Sequence, residues 1–109
     1  MIIMSKADLS ISKDQATELA ELFRLMGDPS RLRIVVACLT TPRCVSEIAA
    51  KTKLSPSLVS HHLRLLRSTR MLRAKRKGRQ VFYVAADKRV QCIIVDMVDH
   101  IAQIEREEA

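Results

Sequence analysis

A mainly α-helical domain carrying one two-stranded β-hairpin is the fold class this sequence predicts. Three observations carry it. Apolar residues recur at helical spacing along most of the chain. Glycines and prolines number only two and three, too few for a turn-rich all-β fold. One stretch, 72-LRAKRKGRQVFYV-84, drops the helical stripe for a basic run, a Lys-Gly step and a cluster of strand-forming residues. At 109 residues the chain supports a single small domain, and 48% hydrophobic residues exclude global disorder. With two Phe, one Tyr and no Trp, the core has to come from Leu, Ile, Val, Ala and Met.

Residues 1–11 read as a loose arm, and the folded domain is expected over 12–107. Ser12 and Gln15 fit a capping box, after which Ala16, Leu19, Ala20, Phe23 and Met26 form a helical stripe with Leu22 and Leu25 as a second apolar edge. Gly27 should end this helix in a left-handed cap. Asp28-Pro29 starts the next, a capping carboxylate followed by a residue with no amide to satisfy. Its expected buried stripe is Leu32, Val35, Val36 and Leu39, broken by Thr40-Thr41-Pro42. A short helix at about 46–52 is expected to be capped by Ser46, with Ile48 and Ala49 inward. Lys53-Leu54 makes a tight connection, and Ser55-Pro56 opens another helix running to about residue 69. Two short helices joined this way are a helix-turn-helix candidate. The hairpin follows with a basic tip, and from Asp87 a long helix carries Val90, Ile94, Met97, Ile101 and Ile104, flanked by Ile93 and Val98. That row exceeds what one small domain needs to cover, which predicts homodimerisation through the first and last helices.

The segment 55-SPSLVSHHLRLLR-67 carries the chemistry. At about 100° per residue, Leu58, Val59, His62, Leu63 and Leu66 gather on an inward side. Ser57, Ser60, His61 and Arg64 fall opposite, with Arg67 a turn further on. The adjacent histidines therefore point apart, which argues against a paired metal or catalytic role. Hydroxyls, imidazole and guanidinium on one exposed row suit base edges and phosphates in a DNA major groove. Net charge is +7, and between Arg64 and Arg79 there are eight Lys or Arg and no acid. A basic helical module docking on an acidic protein or membrane is the competing class. No glycine-rich phosphate loop, H-E-x-x-H, C-x-x-C or nucleophile motif is present, so no enzyme is indicated. MIIMSKAD is too short for a signal-peptide core, and no run approaches the roughly 18 apolar residues of a spanning helix. No membrane association and a cytoplasmic location are the expectations.

With 28-DPSRLRIV-35, 44-CVSEIA-49, 59-VSHHLRLLR-67 and 75-KRKGRQVFY-83 in this order and spacing, the chain resembles the ArsR/SmtB family of bacterial winged helix-turn-helix repressors over about residues 14–104. The resemblance implies a homodimer whose paired reading helices bind double-stranded operator DNA and which an inducer releases. It implies base or backbone contacts from Ser55, Ser57, Ser60, His61, Arg64 and Arg67, with wing contacts from Arg76, Lys77 and Arg79. One branch of the family binds zinc or related ions between the last helices. The matching positions here are Asp87, Arg89, His100 and Gln103. Only Asp87 and His100 are good ligands, because a guanidinium has no lone pair to give. Another branch uses a Cys-x-Cys at the third helix; Cys44 matches its first cysteine and Ser46 replaces the second. A third senses oxidants through two thiols, for which Cys38 and Cys92 are candidates. A degenerate zinc site, thiol sensing and no retained inducer response all stay open, and the cofactor is unknown.

Overall fold

The computed structural model describes residues 9–109. Most of the arm expected over 1–11 lies outside those residues; Leu9 to Ile11 are exposed and precede the first helix. Five helices and one hairpin follow, in the order helix α1 (Lys13–Met26), α2 (Pro29–Ala37), α3 (Val45–Thr52), α4 (Pro56–Ser68), strands β1 (Leu72–Lys77) and β2 (Gln80–Ala85), and helix α5 (Lys88–Glu108).

Local chemistry accounts for most boundaries. The Ser12–Gln15 capping box forms, with Ser12 Oγ accepting the Gln15 amide at 3.0 Å and Gln15 Oε1 accepting the Ser12 amide at 2.9 Å. Asp28 caps α2 through the Arg31 amide at 3.0 Å, and Ser55 caps α4 through the Leu58 amide at 3.1 Å. Two expectations about helix ends are corrected. Gly27 is not left-handed but lies at φ −75°, ψ −7°. The break comes one residue later, where Pro29 forces Asp28 into an extended conformation. Glycine still matters at position 27, because a Cβ would meet the Phe23 and Arg24 carbonyl oxygens at 3.3 and 3.4 Å. At the start of α3 the cap is Cys44 rather than Ser46, and the Cys44 amide donates to Glu47 Oε1 at 3.0 Å. A carboxylate three residues into the helix made this the better register than one beginning on the serine.

The core forms where α2, α3 and α4 meet the base of the hairpin and the start of α5. Ile34, Val35, Ile48, Val59, Leu63 and Leu66 are its fully enclosed centre, and Leu72, Ala85 and Ile94 close it from β1, β2 and α5. Three stripe assignments shift, on α2, α1 and α4. On α2 the buried residues are Ile34, Val35, Cys38 and Leu39, while Leu32 and Val36 are exposed. On α1 the edge containing Leu22 and Leu25 packs inward, and Leu19 and Phe23 face outward. Leu58 sits at the margin of the buried arc of α4 and is exposed. On α5, in line with the surplus apolar row, Ile94 is buried, Val90 packs against the core and Gln91 bonds the Leu39 carbonyl, while Ile93, Met97, Val98 and Ile101 are all more than half exposed. The radius of gyration, 15.7 Å, exceeds the roughly 13 Å expected of a compact chain this long. The excess fits two helices whose main apolar faces no other described residue covers.

The hairpin is antiparallel, with Leu72 opposite Ala85 and Lys77 opposite Gln80. Gly78, at φ +65°, takes the first turn position, where two-residue hairpin turns favour glycine. The α2–α3 loop adds a short third pairing. The Arg43 amide donates to the Tyr83 carbonyl at 3.0 Å and the Tyr83 amide to the Arg43 carbonyl at 2.8 Å. Beside it the Ala85 amide donates to the Cys38 carbonyl at 3.1 Å, and Gln91 Nε2 of α5 donates to the Leu39 carbonyl at 3.0 Å.

Candidate nucleic-acid interface

Helices α3 and α4 are joined by Lys53, which takes the left-handed conformation (φ 60°, ψ 28°), and by Leu54. This is the sharp turn a helix-turn-helix needs. Because Val59, Leu63 and Leu66 are locked into the core, the opposite side of α4 must face outward. Ser57, Ser60, His61, Arg64 and Arg67 are all exposed there. Ser55 is exposed too, but one lone pair of its hydroxyl is engaged by the Leu58 amide, which leaves its proton and a second lone pair.

The two histidines differ as their spacing implies. Their ring centroids lie 5.7 Å apart, yet His61 is in solvent and His62 is only 8% exposed. Burial pushes the His62 pKa below its ordinary 6.5, the neighbouring Arg31 pushes it the same way, and Asp28 opposes both. Its Nδ1 is buried and has no hydrogen-bond partner among the described residues. His62 is thus a packing residue on the core-facing side of α4.

Arg76, Lys77 and Arg79 are exposed at the hairpin tip. Successive strand residues point to opposite faces, so Arg76 and Lys77 flank the ribbon rather than line one side of it. Among the described residues the one ion pair is Arg24–Glu21, at 2.6 Å on α1. The cations of α4 and the hairpin therefore carry no acid partner, and their charge is available to phosphate.

The metal and thiol candidates fare differently. Asp87 and His100 are both exposed on the α5 segment but stand 13 residues apart, about 20 Å along the axis, so one chain cannot bring them to one ion. Asp87 also caps α5, accepting the Val90 amide at 3.1 Å. Gln103, at the fourth matched position, is engaged by Glu107 and Arg106. Among the described residues no three His, Cys, Asp or Glu side chains gather as a metal cage. Two usable donors per chain, with Arg89 between the would-be ligands, do not fit a four-coordinate zinc site. Cys38 is buried, donates its Sγ–H to the Ile34 carbonyl at 3.2 Å, and has its pKa pushed up to about 12 by burial. A thiol held protonated in this way is a poor nucleophile. Cys44 is half-buried beside Ser46, and Cys92 is exposed on α5.

Arg43 and Gln91, which stitch the α2–α3 loop to β2 and α5, were not singled out from the sequence. Single-residue bridges leave no periodic signal.

The family model of bacterial regulatory proteins of the arsR family matches residues 28–74, from the cap of α2 into β1. A transcriptional repressor SmtB homolog of Synechocystis sp. (strain ATCC 27184 / PCC 6803 / Kazusa) is 43% identical over 85% of this chain and 70% of its own length. This chain belongs to the ArsR family. It spans 59–70% of the length of the first curated relatives it matches. Among solved structures, the AntR antimony-specific transcriptional repressor superposes with a TM-score of 0.78 at 29% identity, covering 94% of this chain and 93% of that one. The homodimeric winged helix-turn-helix DNA-binding domain of Mb0332 from Mycobacterium bovis superposes with a TM-score of 0.75 at 23% identity over 94% and 96% of the two chains, a likeness of fold. In ArsR-family terms α3–α4 is the helix-turn-helix and β1–β2 is the wing.

Proposed function

We propose that this chain works as a homodimer on double-stranded operator DNA in the cytoplasm, and that an inducer lowers its affinity for that site. The domain taking part is residues 12–107, with α1 and α5 pairing two copies. Ser57, Ser60 and His61 read bases, Arg64 and Arg67 steady the reading helix on the backbone, and Arg76, Lys77 and Arg79 grip the flanking phosphates or minor groove. The observation that carries this reading is the outward row of α4 joined to a cation tract without acid partners, on a motif of known family. The apolar faces of α1 and α5 support pairing of two copies.

Selection from genomic fragments should recover a preferred duplex whose affinity falls steeply with salt. Lys77→Ala should weaken preferred and random duplexes alike and shallow the salt slope by about one. His61→Ala or Ser57→Ala should cost about 1–3 kcal/mol on the preferred duplex and little on random DNA. Equal losses on both duplexes for all these variants would overturn the base-reading role of α4. Recovery of no preferred fragment, with tight binding to an acidic protein instead, would favour the interaction-module reading.

A further inference from the structure

The outward side of α2 carries a feature the DNA-facing surface does not use. Leu32 and Val36, displaced from the core stripe, are 37% and 46% exposed and line an open depression of about 510 Å³ between α2, the end of α3 and the loop before it. Three cations, Arg33, Arg43 and Lys51, share its wall, and no acid lines it. Both arginines are held by backbone. Arg33 donates one N–H to the Thr52 carbonyl at 2.5 Å, and Arg43 donates Nε–H to the Ala37 carbonyl at 2.6 Å. A guanidinium has five N–H donors. Each arginine is therefore fixed by one and keeps others free, which is the pre-organised state that lowers the entropic cost of gripping an anion. Thr40 and Thr41 also line it.

We propose that this depression is a binding site for a small amphipathic anion, a carboxylate or phosphate monoester attached to an apolar body. The anionic group meets Arg33, Arg43 and Lys51, and the apolar part covers Leu32 and Val36. Charge complementarity selects the head, and the two uncovered side chains select the body. An occupant ties α2 to the C-terminal end of α3, the first helix of the helix-turn-helix.

The test is a ¹H–¹⁵N correlation titration of the full chain without DNA, using phenyl phosphate, with inorganic phosphate and phenol as separate arms. Phenyl phosphate should give saturable shifts centred on the amides of Arg33, Thr41, Lys51 and Lys53, and should bind more tightly than either fragment. Lys51→Gln should weaken it roughly tenfold, the loss of one charge-assisted contact. Val36→Asn should weaken phenyl phosphate but leave inorganic phosphate unchanged. Both positions are exposed, and the same spectra report whether each variant is folded. Shifts concentrated on α4 and the hairpin, equal affinity for inorganic phosphate, or an unaffected Lys51→Gln variant would each overturn the assignment.

Discussion

Replacing Ile101 with glutamate should dissociate the proposed dimer while leaving the single chain folded. Ile101 is 55% exposed on α5, in a patch with Met97 at 55%, Val98 at 51% and Ile93 at 59%. Fully burying such a side chain is worth about 1.5–3 kcal/mol, so the exposed half of Ile101 can still contribute about 1 kcal/mol on pairing. A two-fold interface uses each residue twice, which doubles the loss to about 2 kcal/mol. Each glutamate also brings a carboxylate into the contact, at a cost of about 1 kcal/mol or more when only partly desolvated. The total is about 4 kcal/mol, a roughly thousandfold weaker association. Sedimentation velocity across a concentration series measures this directly, with far-ultraviolet circular dichroism as the folding control. An unchanged dissociation constant, or a dimer that survives with its helicity intact, would show that α5 does not form the interface.

Three further outcomes follow from buried or constrained groups. His62 has a folded-state pKa below 6.5, so below that pH the unfolded chain binds the extra proton first; stability should fall as pH drops through 6.5 toward the lower folded value. Urea midpoints between pH 7.5 and 5 should show this decline, and His62→Leu should flatten it. In thiol labelling at pH 7.5, Cys92 should react promptly and Cys38 only on denaturation, since burial holds the latter near a pKa of 12; prompt modification of all three thiols would contradict that burial. Gly78→Ala has open space for its Cβ but a φ of +65°, so it should cost about 1 kcal/mol of stability by denaturant titration through backbone strain alone.

Helix order, the hairpin and the outward row of α4 were legible because each rests on local signals: caps, proline positions and a stripe bounded by polar residues. Less legible was which of two apolar edges turns inward. On α1 the longer row, with Leu19 and Phe23, faces out, whereas the shorter edge at Leu25 packs. The packed edge is the one tied to α2, where Arg31 Nε donates to the Leu25 carbonyl at 2.9 Å. On α2 the four apolar positions around Leu32–Val36 allow two stripes a fraction of a turn apart, and contact with α3 and α4 selects the one through Ile34 and Cys38. The Cys44 cap was readable in principle from Glu47 three residues on. The cation-lined depression was not, because Arg33, Arg43 and Lys51 come from three separate segments with no shared spacing.

The six residues from Cys38 to Arg43 clasp β2 through Ala85 and Tyr83 and hold α5 through Gln91. One short strap thus serves as the common mounting plate for α5 and for the β1–β2 ribbon.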